Sequence, residues 1–364
     1  MWDSNRSSSE QSSNMSSTSP SERKSMSILF PVIIMIIGTV GSTLALMLAY
    51  RSYHQMKNMR KKRFLLIIGA VAVTDLTSQL LISPIIIILY LTNRQWSSVD
   101  PSNTLCAFFG ICMTIFGLCP LLLASAMAAE WTLAIHAPHC YSNYITIRLT
   151  KVVVVSTWVS VVIFALLPTV GFGRYTLQWP GTWCFINTGS QNLGNTIYVS
   201  IFTVLGIASL LITLSCNVAT IRGLLVCSKN KISSTNKQWE KITLETLIQL
   251  MGIMCVAYVC WSPLLVLLLI KICTRSWSDH GYTSSDKPSS PNTGMQNDSS
   301  FLLIAIRLAS FNQILEPWVY LLLRESLFRK VCQLVEAVTS RSVKGVNEIT
   351  VTAEESGDLK EEIT

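Results

Sequence analysis

FLLIAIRLASFNQILEPWVYLLL, residues 301–323, decides the fold. It is apolar from end to end except for Arg307, Ser310, Asn312, Gln313 and Glu316. A helix needs about 20 predominantly apolar residues to cross a hydrocarbon core, and this stretch has that length and character. Working outward, six more such runs precede it, at about Met26–Tyr50, Phe64–Leu91, Asn103–Ala129, Val152–Val170, Thr196–Val226 and Leu244–Ile270. The first carries no charge, the second only Asp75, and the third ends at Glu130. The predicted fold is all-α: a seven-transmembrane helix bundle. Composition agrees, since 50% of the chain is hydrophobic and 13% is charged, against about 25% charged in soluble domains.

The formal net charge of +8 could point to nucleic acid, but its placement argues against that partner. Arg51, Lys57, Arg60, Lys61, Lys62 and Arg63 follow the first run, and Lys229, Lys231, Lys237 and Lys241 follow the fifth. The alternate loops hold Arg94, then Arg174, then Arg275 and Lys287. Basic loops stay inside, so the N-terminus is expected outside. Asn5-Arg-Ser and Asn14-Met-Ser on that tail are glycosylation acceptors, as is Asn297-Asp-Ser in the last outer loop. No cleavable signal pattern opens the chain, and the first span is expected to direct membrane insertion.

Four regions follow. Residues 1–25 form a disordered, glycosylated extracellular tail, and 26–323 the membrane core. Residues 324–336 form an amphipathic helix on the inner leaflet. There Leu327, Phe328, Val331, Leu334 and Val335 recur at helical spacing among Arg324, Arg329 and Lys330. Residues 337–364 form an acidic cytoplasmic tail. Membrane lipid is therefore one partner.

Ionisable groups inside spans are expensive and need a reason. A central arginine costs about 2.5–3.5 kcal/mol on insertion scales. Glu316 stands nine residues from Arg307, roughly 13.5 Å along the axis and half a turn round. No Asp or Glu falls in the outer half of any span. Arg307 is thus a candidate to grip the carboxylate of an apolar ligand with its two-pronged guanidinium. The other use open to it is to reach back to the outer surface or to backbone carbonyls. Asp75, Asn312 and Glu316 form a second group at one depth, expected to share a proton or a cation, or to act as a polar lock between helices two and seven. Ser83 and Tyr90 share one face of span two. Pro263, beside Cys260-Trp261-Ser262, frees the carbonyl of Val259 and bends span six; such a kink is also a natural hinge. Cys112, Cys119, Cys216, Cys255 and Cys260 lie in apolar runs as small hydrophobes. Cys106 and Cys184, in outer loops, are the disulfide candidates.

These residues carry a resemblance. Gln178-Trp-Pro-Gly-Thr-Trp-Cys-Phe185 and Arg307-Leu-Ala-Ser-Phe-Asn-Gln-Ile-Leu-Glu-Pro-Trp-Val-Tyr320 resemble two signatures of the prostanoid receptors, within the rhodopsin-like G-protein-coupled class. Phe116–Leu122 and Ile248–Cys255 match as well, and the similarity spans about residues 28–332. Leu133–His139, Val170–Pro180 and Asp100-Pro101 look most like the prostaglandin E branch, subtype three.

The resemblance implies a plasma-membrane receptor for prostaglandin E2 or a related prostanoid. It implies that Arg307, Thr182 and Tyr90 bind the ligand carboxylate, with Met113, Trp183, Trp261, Ser310 and Gln313 lining the rest and Ser83 at a pocket position. The competing role for Thr182 and Trp183 is a lid held by packing alone. The resemblance also implies that a Cys106–Cys184 disulfide ties helix three to the lid. The implied partner inside is a heterotrimeric G protein of the inhibitory class, lowering cyclic AMP.

Three departures stand out. Glu130 is followed by Trp131 where the family has arginine, Gly41 by Ser42 where asparagine is usual, and Glu316-Pro317 replaces Asp-Pro. They bear on coupling more than on ligand binding, and leave open a prostanoid-binding receptor that couples weakly. Glu130, Trp131, Asp75, Asn312, Glu316 and Pro263 are the expected switch residues. A lipid transporter fits poorly, since no paired halves with interrupted helices are visible. Enzyme motifs such as HExxH, GxSxG or a P-loop are lacking, and His54, His136, His139 and His280 lie in loops or at helix ends. No cofactor or metal is expected.

Overall fold

The structure is a computed structural model that describes residues 29–55, 57, 59–92, 96–179, 181–189, 192–231, 237–279 and 291–322. The two tails with Asn5 and Asn14, the 324–336 helix, Arg94, Lys287, the side chain of Asn297 and that of Tyr90 lie outside what is described.

Seven long helices form the bundle: α1 Leu29–Gln55, α2 Met59–Thr92, α3 Thr104–His136, α4 Ile147–Leu166, α5 Leu193–Lys231, α6 Lys237–Asp279 and α7 Pro291–Leu322. Lipid offers no hydrogen bonds, so each crossing segment must satisfy its own backbone, which only the helix does within one segment. Among the described residues α1 to α6 are long and apolar enough to cross a membrane. The helices outrun the apolar runs. α2 starts at Met59, so Arg60–Arg63, expected in a loop, form its first turns, and α3 continues past Glu130 to His136. Its neighbours decide which helix is central. α3 is 61% buried over its most apolar window and packs on α2, α4 and α5, whereas α4 is 11% buried there and faces outward. α7 packs against α6 and α1.

Local chemistry sets the helix ends. Thr146 opens α4, its Oγ1 accepting from the Leu149 N–H at 3.2 Å. Before α3, the Asp100 carboxylate accepts from the Cys106 N–H at 2.8 Å and from Ser102 Oγ at 3.2 Å. Burial disfavours the Asp100 charge, but these donors outweigh it and hold the carboxyl below its usual value. The charged form is bound better in the folded chain. Its stabilisation is therefore complete above the ordinary value of 3.8 and disappears as pH falls through the lower folded one. In detergent, the melting temperature should decline below about pH 4, and Asp100→Asn should flatten that limb. An unchanged acid limb in the variant would remove Asp100 from the account.

Pro84, Pro120, Pro263 and Pro317 lie inside α2, α3, α6 and α7. Each removes one backbone donor and releases the carbonyl four residues earlier. In α3 that carbonyl belongs to Phe116, and Gln313 of α7 takes it, Nε2 donating at 3.0 Å.

Between α4 and α5 the chain forms a hairpin, β1 Tyr175–Gln178 and β2 Trp183–Ile186, antiparallel with Tyr175 opposite Ile186 and Gln178 opposite Trp183. Gly181 closes it at φ 89°, where a side chain would be strained. β2 is buried along its whole length. The Cys106–Cys184 disulfide joins it to α3, with Cα atoms 5.3 Å apart. Cys106, expected in a loop, stands in the first turn of α3.

Candidate functional site

Beneath the hairpin lies a cavity of about 150 Å³. Pro31 and Ile34 of α1 reach it, and Ser78, Gln79, Ile82, Ser83 and Ile86 of α2 line one side. Phe109, Met113 and Gly117 come from α3, Phe202 from α5, Trp261 and Leu264 from α6. Leu303, Ile306, Arg307, Ala309, Ser310 and Gln313 form the α7 wall, and Thr182, Trp183 and Phe185 close the hairpin side. Arg307 is the one ionisable side chain in this lining among the described residues. The rest is apolar walls with a few hydroxyls and amides, the usual make-up of a small-molecule site.

The structure brings Arg307, Thr182, Trp183, Met113, Ser83, Trp261, Ser310 and Gln313 to this one cavity. Tyr90 lies on α2, and its side chain is outside the description. Sequence reasoning missed Gln79, Phe109 and Phe202. Gln79 was visible in principle, four residues before Ser83 on the same face. Phe109 and Phe202 look like ordinary apolar residues, and only the bundle geometry selects them.

The polar groups are tied down. Ser83 donates to Gln79 Oε1 at 2.9 Å, and Ser310 to the Ile306 carbonyl at 2.9 Å. Gln313 has both ends engaged, since Ser78 Oγ donates to its Oε1 at 2.9 Å while Nε2 holds Phe116. Gln313→Leu strands the Phe116 carbonyl and the Ser78 hydroxyl. The expected cost is about 1–3 kcal/mol, read as a lower melting temperature of the ligand-free protein. Native melting would show that the bridge contributes nothing. Trp261 is buried at the base of the cavity, and a Cβ on Gly117 would lie 3.1 Å from its ring.

The hairpin is held from several sides. Tyr175 Oη donates to the Ala165 carbonyl at 2.9 Å and meets the hydroxyls of Tyr198 at 2.9 Å and Thr114 at 3.2 Å. The Arg174 N–H donates to Asn195 Oδ1 at 3.1 Å, and Asn195 Nδ2 to the Asn187 carbonyl. Trp183 Nε1 donates to the Trp179 carbonyl at 3.0 Å.

Deeper in the bundle, Asn312 Nδ2 donates to Glu316 Oε2 at 2.9 Å and Tyr320 Oη to Oε1 at 3.3 Å. Asp75 is fully buried within the field of Glu316, yet makes no hydrogen bond among the described residues. The expected trio is therefore a bonded Asn312–Glu316–Tyr320 set with Asp75 beside it. Pro263 lies within α6 just beyond Trp261. At the end of the bundle opposite the hairpin, Glu130 pairs with Arg63, and Trp131 packs edge-on against Phe64, ring centroids 5.5 Å apart.

A helical bundle with a disulfide-tied hairpin over a cavity is suited to enclose a small molecule, and residues 41–320 match the family 7 transmembrane receptor (rhodopsin family), to which this chain belongs. Its members are signalling receptors rather than enzymes. Squid rhodopsin has the same fold, with a TM-score of 0.66 over 88% of this chain and 87% of its own at 16% identity. Within the family the chain groups with the prostanoid receptors. It is 50% identical over 321 residues to the prostaglandin E2 receptor EP3 subtype of Oryctolagus cuniculus, covering 85% of this chain and 76% of that one. It is 49% identical to the Homo sapiens EP3 subtype (85% and 80%) and 33% identical to the Homo sapiens prostaglandin F2-alpha receptor (88% and 84%). This is a multi-pass membrane protein.

Proposed function

We propose that this chain is a plasma-membrane receptor for prostaglandin E2 or a related prostanoid, signalling through an inhibitory heterotrimeric G protein to lower cyclic AMP. The observation that carries the reading is Arg307, one guanidinium in the wall of an otherwise apolar cavity. A prostanoid has one carboxylate on a long apolar body and calls for that lining. The carboxylate docks on Arg307, with Thr182 and Tyr90 as hydroxyl partners. The chain then runs past Met113 and Ser310 toward Trp261. The hairpin end faces outside with the tail bearing Asn5 and Asn14, and the basic end faces the cytoplasm.

Signalling is a shift between two helix arrangements, each favoured by the ligand it binds better. Pressure on Trp261 swings α6 about Pro263, where a ladder bond is already missing. The buried Asp75, Asn312 and Glu316 group ties that movement to α2 and α7.

Saturation binding of labelled prostaglandin E2 to membranes expressing the chain tests the ligand. Saturable, nanomolar-class binding is expected, with prostaglandin F2α competing less well. Saturable binding of another prostanoid but not of prostaglandin E2 would reassign the ligand. In cells with raised cyclic AMP, agonist should lower it, and a rise alone would overturn the inhibitory assignment.

A further inference from the structure

At the end opposite the hairpin, four segments meet around one ion pair. Arg63 of α2 donates Nε to Glu130 Oε1 of α3 at 2.9 Å, in an ion pair whose side chains are 7% and 13% exposed. Its Nη1 donates to the Ile145 carbonyl, just before α4, at 2.9 Å. Tyr141, on the short helix Pro138–Tyr144, donates to the same Glu130 oxygen at 3.1 Å, and the Arg63 guanidinium lies 4.6 Å from its ring centre. Arg60 lies 4.7 Å over the Trp131 ring.

We propose that Arg63 is the positioning residue of this face. From α2 it supplies the cation that Glu130 requires, and so clips α3, the Pro138–Tyr144 helix and the start of α4 into one docking surface for the G protein. The inference rests on the signalling reading above. A carboxylate so largely buried is stable only when paired. Trp131, its neighbour in sequence, has no charge to offer. The guanidinium holds the carboxylate with Nε and the carbonyl with Nη1, two nitrogens in a fixed fork, whereas a lysine has a single nitrogen to reach both. Pinning Tyr141 inward leaves His139, Cys140, Ser142, Asn143 and Tyr144 exposed on the other side of the short helix, Tyr144 at 74%. Trp131 is stored on the α2 side, against Phe64 and with Arg60 over its ring. Arginine at position 131 is then unnecessary, because its charge arrives from another helix.

The test uses the full-length receptor in membranes with purified inhibitory heterotrimer. It reads agonist-driven nucleotide exchange, prostaglandin E2 affinity without G protein, and the melting temperature of the purified ligand-free protein. Arg63→Met should slow exchange by about tenfold or more and leave affinity within about twofold. The charge-exchanged pair Arg63→Glu with Glu130→Arg should recover most of the exchange, and so should Trp131→Arg placed on Arg63→Met. Trp131→Arg alone should add less than about twofold, since Glu130 is already engaged. Where Arg63→Met fails to reach the membrane, Arg63→Lys keeps the charge without the fork and should show slowed exchange at native affinity. Native exchange in the single variants, no recovery in the exchanged pair, or a large gain from Trp131→Arg alone would overturn the proposal. Should the native chain bind no prostaglandin E2, the ligand reading fails separately. Melting then decides: Arg63→Glu and Glu130→Arg must each lower it and together restore it, and additive losses would overturn the clip.

Discussion

Replacing Arg307 with alanine is expected to weaken prostaglandin E2 binding by about thirtyfold or more. Truncating one partner of a desolvated, hydrogen-bonded charge pair costs about 2–5 kcal/mol, and each 1.4 kcal/mol is about tenfold. The loss should be concentrated in ligands that carry a free carboxylate. A methyl ester lacks that charge, so its affinity should be weak for the native chain and change little in Arg307→Ala. Arg307→Lys separates charge from shape. It keeps the cation but loses the two-pronged grip, and should fall between the native chain and the alanine variant. Competition binding on cell membranes, with surface expression measured alongside, reads all three. Equal losses for acid and ester would mean that Arg307 shapes the cavity rather than holding the carboxylate.

The second large effect is expected at a residue with no side chain. A Cβ on Gly110 would fall on the ring of Tyr175. The ring must then leave, and its hydroxyl abandons Ala165, Tyr198 and Thr114. Overpacking costs about 1–3 kcal/mol, and stranding buried hydrogen-bonding groups about as much again. Gly110→Ala should therefore melt well below the native protein and bind ligand more weakly, because the hairpin that carries Thr182 and Trp183 shifts with Tyr175. Tyr175→Phe keeps the ring and should lose less. Tyr175→Ala removes the ring but keeps its Cβ, 2.9 Å from the added carbon, so adding Gly110→Ala to it should cost much less than Gly110→Ala alone. A full additional loss in that double variant would place the damage in α3 itself.

The bundle was legible because the membrane imposes a length and a polarity on every crossing segment. Residues 301–323 have the length, but with Arg307, Asn312, Gln313 and Glu316 inside them α7 is not among the six helices apolar enough to cross by composition among the described residues. The helix ends were not legible, because the turns that leave the lipid, such as Arg60–Arg63, obey no apolar pattern. The hairpin was also hidden. Trp183-Cys-Phe-Ile186 is buried throughout and lacks the alternation that marks a strand with one wet face. At the site, side chains out of character with their surroundings were found from sequence: an arginine in a span, or a serine on an apolar face. Phe109 and Phe202 were not, since an aromatic in a membrane helix is in character anywhere. Tyr320 was missed beside Glu316 although it lies one turn on. The Arg63–Glu130 pair joins residues 67 apart in sequence and depends on how α2 and α3 pack.

The hairpin over the cavity is fixed at one end by a disulfide and at the other by three hydroxyls. Thr182, Trp183 and Phe185 of that hairpin line the cavity, so a molecule held there leaves only as those contacts break. Residence time thus becomes the quantity that separates one ligand from another. Variants that loosen the hairpin should shorten occupancy more than they alter the rate of capture, as is common among closely related complexes. Brief incubations would then misrank ligands, favouring those that enter quickly over those that stay.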